Sequence, residues 1–177
     1  MFTRRGDKGE TDSGDRSRIS KDSPQVEFQG HLDMLISFIG DALVMSKWDD
    51  IKDDLQKIQV HLFTLGEDLI ASGSKRTLPA DAVQWLEDRT NLYRKEYGKI
   101  RLFVIPGGSR ESTSLHVART VCRSAEVSLV ALSHGKNLRP ELLQYMNRLS
   151  SLLFFHSLVS NKRLGIEERI WSIGRES

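Results

Sequence analysis

The stretch Phe103–Glu126, FVIPGGSRESTSLHVARTVCRSAE, decides how this chain is read. An apolar, β-like run breaks at Pro106-Gly107-Gly108-Ser109. A helical pattern follows, in which Leu115, Ala118, Cys122 and Ala125 recur at three- and four-residue steps. Leu129 and Leu132 continue this seam, and Gly135 ends it. Arg119, Arg123 and Glu126 share one face immediately beside the seam. Two cations on the flank of a buried stripe raise the question of what they meet.

Outward from this stretch, everything after Pro24 reads as helix. Phe28, Leu32, Leu35, Ile36, Ile39 and Leu43 form one apolar stripe, and Ile51, Leu55, Ile58, Leu62, Leu65 and Leu69 form a second. Gly73 is expected to stop that second helix. Pro79 is expected to open a third, with Leu86, Thr90, Tyr93 and Tyr97 inward and Gly98 at its end. A fifth begins near Pro140 and carries Leu142, Met146, Leu149, Leu153 and Val159. The run IRLFVI (100–105) reads as a strand too isolated to imply a sheet. The tail GIEERIWSIGRES reads as a short amphipathic extension or a frayed end. The prediction is an all-α fold, an antiparallel bundle.

Composition narrows the function. The chain has 177 residues, 28% of them charged, with a net charge of +2, too balanced for a nucleic-acid or anionic-membrane partner. No apolar run reaches the roughly 20 residues that span a bilayer. The acid-bearing N-terminus is wrong for a signal or transit peptide, so the expected location is the cytoplasm. Cys122 is the single cysteine; it cannot form an intrachain disulfide and reads as packing. There is no GxxxxGK[ST] and no GxGxxG after a strand. His31, His61, His116, His134 and His156 lack metal-ligand spacing, so no protein-held metal site is expected.

Three polar features remain, each with two readings. Arg123 and Glu126 make a solvated ion pair, or Arg119 and Arg123 form an anion clamp of partly desolvated guanidinium groups. The segment TRRGDKGETDSG (3–14) is a disordered tail, which its composition favours, or a nest in which glycines let backbone N–H groups approach an anion. Asn147 sits on a polar helix face, or its amide bonds a nucleotide.

Taken together, these segments resemble the ATP:cob(I)alamin adenosyltransferases of the propanediol-utilisation type. The resemblance rests on TRRGDKG (3–9), RISKD (18–22), VEFQGHLD (26–33), FVIPGGS (103–109), LHVARTVCRSAE (115–126) and YMNRLSSLLF (145–154), in the family's order. It implies a five-helix, ferritin-like bundle assembled as a homotrimer, with ATP at the subunit boundary. Residues 1–24 would be a flexible ATP-binding segment and residues 25–177 the bundle domain. ATP contacts fall by motif on Thr3, Arg4, Gly6, Asp7, Lys8, Gly9, Thr11, Lys21, Arg123, Glu126 and Asn147. Arg119 is placed at the same site, Asp33 would pair with Arg123 across the boundary, and Phe103 would exclude the lower axial ligand of the corrinoid.

The implied reaction moves the 5′-deoxyadenosyl group of ATP to the cobalt of reduced cobalamin, with Mg²⁺ on the leaving triphosphate. A flavoprotein reductase and an adenosylcobalamin-dependent enzyme are the implied protein partners. Ser124, Ser151, Met34, Ile36 and Gln25 depart from the family's usual residues. The rival readings are a non-catalytic ATP- or corrinoid-binding module, acting as sensor or chaperone, and a purely structural helical protein.

Overall fold

Local chemistry sets where each helix starts. In the computed structural model, which describes residues 4–13, 17–70, 76–100 and 103–171, Ser23 caps α1 (Pro24–Met45) by accepting the Val26 N–H at 3.4 Å, with Pro24 in the first turn. A three-residue corner leads into α2 (Asp49–Ile70). Then come α3 (Ala82–Tyr97), α4 (Arg110–Ser133) and α5 (Pro140–Arg163). Gly98, at φ 103°, closes α3, and its N–H returns to the Arg94 carbonyl. The expected stop at Gly73 lies outside the described residues. The third helix begins at Ala82, later than its proline suggested. Pro79 instead carries a turn whose carbonyl accepts the Ala82 N–H, while buried Leu78 is anchored by its N–H to Asp68.

The five helices form one bundle: α1 packs on α2 and α4, and α5 packs on α4 and α3. Every seam residue read from α2, α4 and α5 is buried. On α1, Ile36 and Leu43 lie at the core's margin. No helix of the described residues is long and apolar enough to cross a membrane.

Two short sheets lie outside the helical pattern. β1 (Glu10–Asp12) pairs antiparallel with β2 (Arg18–Ser20), and Arg18 ties this hairpin together through Asp12, Glu10 and the Arg5 carbonyl. The run ending at Ile105 is not isolated: β3 (Phe103–Ile105) pairs with β4 (Arg169–Trp171), Phe103 opposite Trp171. Within the tail read as a short amphipathic extension or a frayed end, Arg169–Trp171 is therefore a strand; residues 172–177 lie outside the described residues. Gly165, at φ 69°, reverses the chain after α5, and the Ile166 N–H bonds the Asn161 carbonyl.

A buried polar node crosses the bundle. Asp54 of α2 accepts from Arg89 and Tyr93 of α3 and lies 3.2 Å from His156 of α5. Burial lowers the His156 pKa, and the Asp54 carboxylate pulls it partly back. Asp54→Ala removes the acceptor that Arg89, Tyr93 and His156 share, and leaves the wholly buried His156 ring without a partner. It should cost about 3 kcal/mol in urea unfolding; a loss below ~1 kcal/mol would remove the node from the stability of the bundle.

Candidate active site

The break before α4 is built by one amide. Asn161, wholly buried on α5, accepts the Ser109 N–H at 2.9 Å and donates to the Gly107 carbonyl and to Glu168, each at 3.0 Å. Gly108 lies beneath it at φ 90°, where a Cβ would fall on the amide itself. Ser109 then caps α4 by accepting the Ser112 N–H. The same clamp fixes β3 on one side and the approach to β4 on the other.

From that start, α4 carries Arg119 and Arg123 outward. Arg119 is half-buried, its Nε has no partner, and its guanidinium lies 5.9 Å from the Phe154 ring. Burial, and after it the neighbouring Arg123 charge, lower its pKa, because no carboxylate offsets either. The expected surface pair does not form: no ion pair joins Arg123 to Glu126 among the described residues. Glu126 instead accepts from Asn147 at 2.9 Å. The Asn147 carbonyl oxygen accepts from Arg148, which reaches Glu87 on α3. Arg123, Glu126 and Asn147 line a groove of about 370 Å³ between α4 and α5. Arg123 also faces a second groove, of about 570 Å³, toward Glu27 and His31 of α1.

The N-terminal residues gather around Lys21. Its N–H bonds the Gly9 carbonyl at 2.8 Å, and a Cβ on Gly6 would stand 3.0 Å from the Lys21 ammonium. Turn bonds from Asp7 to Arg4 and from Gly9 to Gly6 fold the segment back on itself, with Arg4 at φ 59° and Gly9 at φ 79°. Arg4 in the left-handed region is a strained conformation of the kind held at ligand sites. Lys8 is exposed, and Thr11, on β1, is half-buried. Thr3 lies outside the described residues. Among the described residues, no hydrogen bond or ion pair connects this segment to Arg119 or Arg123 of the same chain. Asp33 is exposed on α1 and makes no ion pair with Arg123 of its own chain.

Phe103 is 68% exposed and Trp171, its cross-strand partner, 58% exposed, so the two form an aromatic pair open to solvent. Core packing, the ordinary fate of such a phenylalanine, does not apply to it. Cys122 is wholly buried, and burial raises its thiol pKa well above the usual range, as packing predicts.

The amino-acid sequence matches the cobalamin adenosyltransferase family over residues 1–160. The chain belongs to that family. A corrinoid adenosyltransferase of Bacillus subtilis is 38% identical over 172 residues, 94% of this chain and 89% of that one. A cobalamin adenosyltransferase of Cupriavidus metallidurans is 39% identical over 180 aligned positions, 100% of this chain and 96% of that one. The fold superimposes with a TM-score of 0.88 on a phenylalanine-to-alanine variant of a PduO-type ATP:corrinoid adenosyltransferase from Lactobacillus reuteri, complexed with cobalamin and ATP. That protein is 26% identical, with 96% of this chain and 98% of that one covered.

In this cobalamin adenosyltransferase, sequence reasoning passed over Trp171, Phe154 and His116. Trp171 was hidden in a tail with no periodicity, and its role depends on a pairing with Phe103, distant in the chain, that no local pattern reports. His116 lies one helical turn before Arg119, buried, bonded to Ser157 at 3.1 Å and edge-on to Phe154. Burial, then the Arg119 charge, push its pKa down to about 4 from 6.5. The unfolded chain therefore takes up this proton first as pH falls, and stability declines from pH 6.5 toward 4. His61 and His156 shift the same way. The His116→Gln variant should show a shallower decline, by up to about 1.4 kcal/mol per pH unit, in urea midpoints read across that window. An unchanged slope would show that His116 is not buried neutral.

Proposed function

We propose that the protein transfers the 5′-deoxyadenosyl group of ATP to the cobalt of cob(I)alamin, yielding adenosylcobalamin and triphosphate. The observation that carries this reading is the pair Arg119 and Arg123: adjacent guanidiniums, one half-buried, without a carboxylate partner. Such a pair is unfavourable until an anion arrives. Cobalt attacks C5′; a Co–C bond forms, the C5′–O bond breaks, and its electron pair leaves on the triphosphate oxygen. Charge accumulates on the leaving group, so fixed cations lower the barrier by preorganised electrostatics without acting as acid or base. Lys21, Arg4 and the Gly6–Gly9 turn supply the opposite wall, and Asn147, held by Glu126, presents its amide to the nucleotide.

Among the described residues, no bond joins the N-terminal turn to Arg123 within one chain, which favours a site completed by a second copy in a trimer. Asp33 of one copy then meets Arg123 of the next. Exposed Val127 and Val130 flank the arginine and suit such a boundary. A Mg²⁺ ion bound chiefly by phosphate oxygens needs only one or two carboxylates; Asp7, exposed beside Gly6 and Lys21, fits that need. When bound, the ion neutralises phosphate charge. Phe103 and Trp171 offer an apolar platform beneath a corrin ring, where Phe103 keeps a lower ligand off the cobalt. The electrons that make Co(I) come from an external reductant of the flavoprotein class.

Anaerobic incubation with Mg-ATP and chemically reduced cobalamin should bleach the Co(I) spectrum and give a light-sensitive product. A non-catalytic carrier would bind both and leave the spectrum unchanged. Arg123→Ala should lower kcat about 10²–10³-fold, the effect of losing one charge-stabilising donor; near-normal turnover would remove Arg123 from the mechanism. Sedimentation should give three times the chain mass, and a monomer that turns over would contradict the shared site.

A further inference from the structure

A groove of about 960 Å³ runs between the C-terminal half of α3 and α5. Its polar lining includes Asn91, Arg94, Lys95, Lys99 and Ser151, with Phe155 at its apolar side and no carboxylate. The side chains of Arg94, Lys95 and Lys99 enter no hydrogen bond or ion pair among the described residues. Neighbouring cations differ. Arg89 is held by Asp54, Arg148 by Glu87, and Arg163 by Asp50 and Glu96. No acid lines the groove, and three positive charges face it uncompensated among the described residues.

The end of a helix explains only part of this. Arg94 and Lys95 lie in the last turn of α3, where cations offset the exposed carbonyls. Those carbonyls, however, already have a cation: Lys162 of α5 donates to the Glu96 carbonyl at 2.5 Å and to that of Tyr97 at 3.2 Å. Lys99 lies past the helix, returned to the groove by the turn at Gly98. The groove therefore keeps a net positive lining fit for an anion.

Its position says which anion. Ser151 is one helical turn, about 6 Å, along α5 from Asn147. Phe155 follows Phe154, the ring beside Arg119. Ile100, also in the lining, precedes Phe103 by three residues, at most ~11 Å of chain. Along the chain, the groove is thus within a short reach of Phe103 on one side and of Asn147 on the other. Displacing the lower ligand of a cobalamin frees its nucleotide tail to reach such a groove, and that tail carries one phosphodiester and one flat aromatic base.

We propose that the α3–α5 groove binds the nucleotide tail of the corrinoid, its phosphodiester against Arg94, Lys95 and Lys99 and its base along Phe155. This rests on the adenosyltransferase reading of the site. The groove then selects among corrinoids by their tails and leaves the transfer step itself to α4.

The test compares cobalamin with cobinamide, which has the corrin ring but no nucleotide tail, in the wild-type protein and in Lys95→Gln/Lys99→Gln. The variant should raise KM for cobalamin fivefold or more, with kcat and the KM for ATP unchanged and cobinamide kinetics unaffected. Wild-type protein should accordingly favour cobalamin over cobinamide in KM, and added salt should erode that preference. An equal rise for both corrinoids, no rise for either, or a rise confined to ATP would each overturn the assignment, the last by giving the groove to the triphosphate. If wild-type protein adenosylates neither corrinoid, the function proposed above fails and the tail site falls with it; if it turns over both with equal KM, only the tail site falls.

Discussion

The contact on which most else depends is the Asn161 side chain wedged over Gly108. One buried amide satisfies the Ser109 N–H, the Gly107 carbonyl and Glu168, and thereby fixes three things at once. It sets the first turn of α4, and with it the direction in which Arg119 and Arg123 leave the bundle. It ends β3 where Phe103 is still exposed, and it holds the loop that delivers β4 alongside. The clamp needs a residue without a Cβ at position 108 and a left-handed backbone there, so glycine is dictated on two counts. Burial raises the Glu168 pKa, while the Asn161 amide opposes the shift by bonding the carboxylate.

The two halves of the proposed site follow different physical rules. The guanidinium wall is rigid because α4 is packed between α1 and α5 and its seam is wholly buried. Its electrostatic strain is held by the bundle's stability, with Arg119 kept partly from water beside Phe154. The N-terminal wall has almost no apolar surface. It is held by local devices: the Arg18 bridges across the hairpin, the Lys21 to Gly9 bond, and Gln25 of α1 donating to Ser13 at 3.2 Å. An enzyme that must close over a polyanion and then release it is well served by one wall that cannot move and another that is lightly tethered.

The helices were legible because their seams are long and regular: Ile51 to Leu69 alone reports α2. The guanidinium pair was legible too, since spacing places Arg119 and Arg123 on one face, but their lack of a partner was not. That depends on Glu126 turning to Asn147 on another helix, a choice made by packing. The small sheets escaped for a similar reason. β3 and β4 are three residues each, too short for periodicity to register, and the Asn161 clamp joins the segments beside them, Gly107 and Glu168, from another helix. The N-terminal glycines spoke for disorder by composition; the Lys21 bond that ties Gly9 down comes from across the hairpin, where no local pattern reports it. Asp54, one of a cluster of aspartates at the start of α2, gave no sign of a buried node, because its partners Arg89, Tyr93 and His156 come from two other helices.

The placement of Trp171 has an optical corollary. The chain holds three tryptophans. Trp48 and Trp85 are half-buried in the flank of the bundle, each beneath a cation, while Trp171 stands exposed opposite Phe103. A strongly coloured macrocycle settling on that aromatic pair would sit nearly in contact with this indole. The fold thus carries its own fluorescent gauge of occupancy at the platform.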